Sequence, residues 1–332
     1  MLEKLSNIID ILTPKISRRY SPMKKTCLFI FALLLAVSIF MTATVVKAQT
    51  SENATEVSVG VWLINVEKVD LAASTFKLDF YLWFRFNPSQ ISLEEVKEFE
   101  FVNGAPTKYE ILAEDGYLEY RIKGDFFKTF DFTKYPFEDQ QLSLQLEHKT
   151  LDYTQLVYVP DVEESNIDEE ANVAGWSITS FDVGAVEHSY GDESFSRFVS
   201  SVILQRPLYS SIFKSVMPIA VITTIALLAF FVSPKNFAQR IGLGVTTLLS
   251  ATAFHLSLLS GIPPTGYLTF ADKMMIFVYA LFLYDLSVSV YIMRCVDMKR
   301  EDAAEQTNKK ALRILPFLIV GGVAILAVSQ IL

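Results

Sequence analysis

Four stretches of the last third of the 332-residue chain, at about 210-232, 239-260, 272-294 and 311-332, are apolar over close to the ~20 residues that a bilayer-crossing helix needs. A soluble domain has no way to bury four such stretches in so short a span of sequence, so the C-terminal part is expected to be a bundle of membrane helices. The 51% apolar content and mean hydropathy of +0.33 reflect this local excess.

The second stretch differs from the other three. Arg240 to Pro264 reads RIGLGVTTLLSATAFHLSLLSGIPP, and alternating steps of four and three pick out Gly242, Thr246, Leu249, Ala253, Leu256 and Ser260. This helix stripe is small and hydroxylated at its start, leucine-rich in the middle and hydroxylated again at its end. Repeated around an axis, it would line a watery path with a hydrophobic constriction that gates by dewetting. The competing reading is a bundle helix whose small residues serve close packing in the bilayer.

Charge orients the helices. Basic residues cluster between the first and second stretches (Lys235, Arg240) and between the third and fourth (Arg294, Lys299, Arg300, Lys309, Lys310). The positive-inside rule places both connections in the cytoplasm and the N-terminal domain outside. A basic start at Met23 to Lys25, an apolar run from Cys27 to Met41 and the small-x-small Val46-Lys47-Ala48 form the three parts of a secretory signal. Residues 1-48 are therefore expected to be an N-terminal extension and signal peptide, with the mature chain beginning near Gln49. Cys295 is then the single remaining cysteine, and no intrachain disulfide can hold the exported domain together.

Residues 49-207 carry 29 acidic against 12 basic side chains and read as all-β. Alternating stretches at Val57 to Val66, Phe76 to Phe86, Leu118 to Gly124, Gln141 to Glu147, Trp176 to Val183 and Phe195 to Leu204 are separated by turn-forming segments such as Asn103-Gly104 and Tyr190-Gly191-Asp192. The fold class expected is a β + α membrane protein: an extracellular immunoglobulin-like β-sandwich followed by a four-helix transmembrane bundle over 208-332. Phosphate loops, nucleophile elbows and metal-spaced His or Cys sets are absent from the sequence, and its three histidines are scattered, so an enzyme is not expected. No feature points to nucleic acid.

Phe130 to Gln140, FDFTKYPFEDQ, resembles the aromatic-Pro-Phe-acid-x-Gln signature of the pentameric ligand-gated ion channel, or Cys-loop receptor, family. Lys128 and Leu142 stand where animal members carry the two bracketing cysteines, as in the bacterial branch. The likeness continues through Asp79 to Phe86 as an early strand, Arg206 twelve residues before Pro218, and RIGLGVTTLL, which is similar to the pore helix of glycine and GABA-type receptors. It covers roughly residues 55 to 332 with motif order preserved.

The resemblance implies a homopentamer in a lipid bilayer, with the second helix of each copy around an ion pore gated by rings of Leu249 and Leu256. Lys235, Ala238, Gln239 and Arg240 would form the selectivity region. That segment holds no acid, which suggests anions, whereas the acidic outer domain concentrates cations; the balance leans slightly to cations. Coupling between the halves would run through Pro136, Phe137, Glu138, Arg206, Pro263 and Pro264, with Arg206 paired to Glu138 or Asp139. An unknown small-molecule agonist, or protons, would act at an interface formed by Tyr190 and Phe195 on one side and Trp83, Arg85, Tyr120 and Arg121 on the other, where aromatic faces suit cations and arginines suit carboxylates.

Asp161 to Glu170 holds six acids in ten residues, and Asp161, Asp168, Glu169 and Glu170 resemble an interface loop that takes Ca²⁺ or another divalent modulator in bacterial relatives. No other cofactor is expected. Asp285, inside the third stretch, needs a partner, for which Arg313 is a candidate. His255 falls off the stripe and reads as a packing residue, with proton sensing as the alternative. The rival to a channel is a non-conducting membrane receptor or transporter subunit with an exported β-domain.

Overall fold

Strand alternation builds the outer half. The computed structural model describes residues 54–330, and the expected signal segment lies outside the described residues. One sheet runs in the order β4 (Thr107–Glu114), β5 (Tyr117–Phe127), β2 (Thr75–Arg85), β1 (Thr55–Asp70), β7 (Leu156–Pro160), with β8 (Asn166–Ile167) also paired to β1. The second is β3 (Phe99–Phe101), β6 (Asp139–His148), β10 (Glu193–Gln205), β9 (Ser177–Tyr190). Pairing is antiparallel except where β7 and β8 run parallel to β1.

Every second residue faces the partner sheet. Val57, Val59, Val61 and Leu63 of β1 are buried, as are Phe76, Leu78, Phe80, Leu82 and Phe84 of β2. A register shift between Leu63 and Asn65 changes the parity of β1, so Val66 returns to the core while Asn65 does not. From the other sheet, Leu142, Leu144, Leu146, Phe198, Val202 and Leu204 meet them. Aromatic rings fill the centre: Phe76 and Phe126 stack at 5.7 Å between centroids, and Phe80 and Phe101 meet edge-on at 6.1 Å. All six expected strands are present. The four additional ones are short or, like β4, lie at an edge with both faces mostly exposed, so no apolar alternation marks them.

A single-turn helix, α1 (Leu93–Val96), is closed by a Ser92–Glu95 capping box. Four long helices follow: α2 (Leu208–Phe231), α3 (Phe237–Leu259), α4 (Phe270–Asp297) and α5 (Glu301–Val328), each long and apolar enough to cross a membrane. A π turn at Ile212–Val216 interrupts α2 just ahead of Pro218, and Thr269 and Asp272 form a capping box at the start of α4. Only residues 298–300 separate α4 from α5. The apolar stretches at 272-294 and 311-332 leave a longer gap, because the first three turns of α5 are polar and lie ahead of its apolar stretch.

Phe126 and Phe127 are adjacent on β5 but 0% and 60% exposed. Phe126→Ala should cost about 3–5 kcal/mol of stability through the cavity it leaves, and Phe127→Ala less than about 0.5. Thermal unfolding followed by the circular dichroism of the β-domain separates the two.

Candidate functional site

α3 has two unlike faces. Arg240, Gly244, Thr247 and Ala251 are buried against the bundle, whereas all six stripe residues, Gly242, Thr246, Leu249, Ala253, Leu256 and Ser260, are exposed in the single chain. Leu249 and Leu256 are 67% and 71% exposed, the largest apolar surfaces on this helix. Ser250 and Thr252 return their hydroxyls to the carbonyls of Thr246 and Leu248, at 3.0 and 2.9 Å. Such back-bonding lets a helix carry hydroxyls without unsatisfied donors.

Lys235, Ala238 and Gln239 lie exposed at the start of α3, where Lys235 makes a surface ion pair with Glu301 at 2.8 Å. Arg240 does not share their surroundings. It is fully buried: Nη1 donates to the Val232 carbonyl (3.1 Å) and to Asn308 Oδ1 (2.9 Å), and Nε donates to Ser289 Oγ (3.3 Å). Asn308 in turn donates to the Phe230 carbonyl at 2.9 Å. One guanidinium thus joins α3 to the end of α2, to α4 and to α5, which takes it away from the helix face it was grouped with.

Asp285 is also fully buried, and neither of its carboxyl oxygens has a hydrogen-bond partner among the described residues. Arg313, the partner suggested by sequence, is exposed. Gly244, one turn after Arg240, lies against Asp285 and Leu286; a Cβ there would come within 2.6 Å of Leu286 Cδ2. His255 sits off the stripe, with Nδ1 3.1 Å from the Tyr279 hydroxyl and Nε2 3.1 Å from Asp272 Oδ1.

The junction between the halves is built on the loop from Phe130 to Phe137. Phe130, Phe132 and Tyr135 are buried in the sandwich core. Tyr135 donates its hydroxyl to the Leu258 carbonyl at 2.8 Å, and the amides of Phe270 and Ala271 donate to the carbonyls of Thr133 and Tyr135, each at 3.0 Å. The Tyr267 hydroxyl accepts from the Phe132 amide at 2.9 Å, and the rings of Phe137 and Phe270 meet at 5.7 Å. Asp131 organises the loop by accepting from the Thr133 amide and hydroxyl, which hold its carboxyl below the usual range.

Arg206 pairs with Glu138 rather than Asp139: Nε donates to Oε1 at 2.6 Å, and the guanidinium lies 4.4 Å from the Trp176 ring centre. Burial pushes the Glu138 carboxyl above its ordinary value, outweighing the opposing pull of Arg206. Pro263 is half-buried and Pro264 exposed, while Ile262, Tyr267, Phe270 and Ala271 make the contacts. Their signal is an aliphatic or aromatic residue flanking a helix start, too common to single out unaided.

In the outer domain, alternation separates two residues that the sequence reading grouped. Tyr120 faces the core, edge-on to Phe99 at 5.5 Å, and burial pushes its hydroxyl up to about 12. It is a packing residue, unavailable to a surface site. Arg121 points the other way, grips Asp79 through Nε (3.1 Å) and Nη2 (3.0 Å), and lies over Tyr81. Trp83 Nε1 and Arg85 Nη1 both donate to Asp161, at 3.1 and 2.6 Å, and Arg85 also pairs with Glu164. Trp83 and Glu164 border a cleft of about 520 Å³ lined in part by Trp62, Tyr81, Tyr117 and Glu119.

Tyr190 and Phe195 lie on the other sheet, at the β9–β10 hairpin, 6.0 Å apart. The Tyr190 hydroxyl donates to Glu147 at 3.1 Å and accepts from Arg197 at 2.7 Å. A single chain does not bring the two groups together. Nor does it gather the four acids: Asp161 is held by Trp83 and Arg85, and Asp168 accepts from the Glu170 amide. Among the described residues there is no group of three or more His, Cys, Asp or Glu placed to hold a metal ion.

Residues 215–320 match the neurotransmitter-gated ion-channel transmembrane region family. The chain is 23% identical over 283 residues to a proton-gated ion channel of Gloeobacter violaceus, covering 78% of each. It is 24% identical over 164 residues to the neuronal acetylcholine receptor subunit beta-4 of Bos taurus, covering 48% of this chain and 32% of that subunit. It is also 24% identical over 165 residues to the alpha-9 subunit of Gallus gallus, covering 49% and 34%. The chain thus matches about a third of the length of these animal subunits.

Arg206→Ala should destabilise the protein by about 3–5 kcal/mol, because it leaves the buried Glu138 charge unpartnered. A carboxyl raised in the fold contributes stability below its unfolded value and loses it as pH rises through its folded value. The loss in Arg206→Ala should therefore be largest at neutral pH, shrink on acidification, and be partly restored by adding Glu138→Gln. Thermal midpoints measured across pH check all three.

Proposed function

Membership of this chain in the pentameric ligand-gated ion channel superfamily, in the bacterial branch without the Cys-loop cysteines, is the premise from which we propose that five copies enclose a pore lined by α3. The chain is a multi-pass membrane channel subunit with a large β-domain outside the cytoplasm, and not an enzyme. The observation that carries the pore assignment is the pair Leu249 and Leu256, highly exposed on a helix whose opposite face is packed and polar. A lipid-facing helix also exposes large apolar side chains, as α5 does with Phe317, Val320 and Ile325, but these leucines share their stripe with Gly242, Thr246 and Ser260. Five copies around an axis would convert them into two aliphatic rings, between hydroxyl-bearing levels at Thr246 and Ser260.

Water in a narrow leucine-lined tube loses hydrogen bonds that the wall does not replace, so the closed state excludes water and with it ions. Small tilts that widen the rings would re-wet the path. Lys235, Ala238 and Gln239 would border the cytoplasmic mouth; Arg240, buried, would shape it from behind. The excess of 29 acidic over 12 basic residues in 49-207 would enrich cations in the outer vestibule, which favours cation passage.

The stimulus would act on the outer domain and reach α3 through the 130–137 loop and the Arg206–Glu138 pair. Protons are one candidate, since the Gloeobacter relative is a proton-gated channel, and a small organic ligand between neighbouring outer domains is the other. Tyr190 and Phe195 lie on one sheet and Trp83, Arg85 and Arg121 on the other, so a site uniting them takes two copies.

Reconstituted in planar bilayers, the protein should form a complex with the mass of five chains and carry current under some combination of acid and small amines or acids. Leu249→Ser should leak at rest or open at weaker stimulus, because a hydroxyl ring lowers the cost of wetting. Currents identical to the parent would move the gate elsewhere. Thr246→Cys should become sensitive to a charged, water-soluble thiol reagent while Thr247→Cys does not; the opposite pattern would point the stripe at lipid. The reversal potential under a salt gradient fixes the sign of the permeating ion.

A further inference from the structure

A cavity of about 290 Å³ lies under the junction, between the outer ends of α2 and α3, and its wall is rich in hydrogen-bond donors. Arg206, Lys214, Ser210, Ser211, Ser215 and Ser257 line it, with Tyr135 above and Phe254 below. The volume sits under the ~300–1,000 Å³ of sites for drug-sized ligands, which suits a compact group.

The donors are unused. Thr224, Thr247, Ser250 and Thr252 on the same helices all return their hydroxyls to carbonyls one turn back. Ser210, Ser211, Ser215 and Ser257 make no side-chain hydrogen bond to another described residue, although Ser211 and Ser215 are only 7% and 5% exposed. Their hydroxyl oxygens are not themselves sealed off, so each is free to donate to a group seated in the cavity. Lys214 has no carboxylate within 4.0 Å among the described residues, and Arg206 spends only Nε on Glu138, leaving both Nη groups without a partner among them. The π turn at Ile212–Val216 falls on this stretch and sets Ser211, Lys214 and Ser215 around one opening.

We propose that this cavity binds a phosphate group. Two cations call for an anion, and a lysine, a free guanidinium edge and four hydroxyls offer more donors than the two oxygens of a carboxylate can accept, whereas a tetrahedral phosphate can satisfy them. The phosphate can come from a phospholipid of the outer leaflet or from the free ion. The exposed Leu208, Tyr209 and Phe213 beside the cavity, at the end of a membrane helix, form the kind of apolar and aromatic collar that sits at headgroup level. A phosphate seated here would bridge α2 to α3 next to the Arg206–Glu138 pair. This assignment does not depend on α3 lining a pore.

The test is lipid retention on the detergent-solubilised full-length protein, exchanged into phosphatidylglycerol and read by native mass spectrometry, with a galactosyl diacylglycerol of the same chains as the phosphate-free control. The parent should retain phosphatidylglycerol and not the galactolipid. Lys214→Gln, and separately the double variant Ser211→Ala/Ser215→Ala, should weaken retention about tenfold, as expected for a lost charge-assisted contact, while Lys214→Arg preserves it. Displacement of the lipid by inorganic phosphate identifies the free ion as a ligand of the same site; retention that phosphate does not compete with identifies the lipid. Equal retention by the parent and both weakened variants, or equal retention of the galactolipid, overturns the proposal. Because no current is measured, the result stands apart from any failure of conduction.

Discussion

The hydrophobic core of the outer domain does not stop at the outer domain. It continues through Phe130, Phe132 and Tyr135 into Ile262 and Ala271, which belong to the connection after α3 and to the first turn of α4. Backbone hydrogen bonds from Phe270 and Ala271 into the 130–137 loop, and the Tyr135 hydroxyl on the Leu258 carbonyl, fasten the same contact. A joint made of shared core and backbone bonds is stiff, because packed interiors do not deform continuously. Whatever displaces the loop displaces the outer end of α3 with it.

At its other end α3 is held by charge. Arg240 is the largest fully buried side chain described; its Nη1 and Nε are held by the Val232 carbonyl, Asn308 and Ser289, while Nη2 has no partner among the described residues. Asp285 is buried in the same bundle with neither carboxyl oxygen partnered among the described residues, and Gly244 lets α4 approach closely there. Turning α3 about its axis would expose the guanidinium to an apolar environment, an expensive change. The rotational setting of the helix, and so the direction its exposed stripe faces, follows from one buried arginine.

Periodicity made much of this legible from sequence. Strands with one buried face announce themselves by alternation, and four apolar stretches of membrane length admit little else. The 3.6-residue repeat also separates Thr246 and Leu249 from Thr247 and Ala251 without any structure. The misses share a cause: they depend on contacts between elements distant in sequence. Tyr120 and Arg121 look equally suited to a surface site until the pleat sends one inward. Arg240 beside Lys235 reads as one basic cluster, but only the packed bundle shows that its partners are Ser289 and Asn308. Within the acids of 161–170, only the fold shows that Asp161 is turned to Trp83 and Arg85 on β2. β4, with both faces mostly exposed, carries no pattern to read.

The two ends of α3 differ in a way that bears on how motion reaches its centre. The inner end is fixed by a desolvated charge whose donors are tied on several sides, so it acts as a pivot. The outer end is tied by the Tyr135 hydroxyl, by His255 to Tyr279 and Asp272 of α4, by Leu258 and Leu259 against the shared core and by the short 260–269 connection, next to a cavity lined with unspent donors. A rod pivoted at its base and driven at its tip converts a shift of the 130–137 loop into lateral displacement that grows with height. In such a motion Leu256 would travel further than Leu249, and Gly242 least. In the proposed assembly the outer leucine ring would therefore widen first and the cytoplasmic mouth least, which would hold the proposed ion-selecting end constant while the aliphatic levels wet and dry.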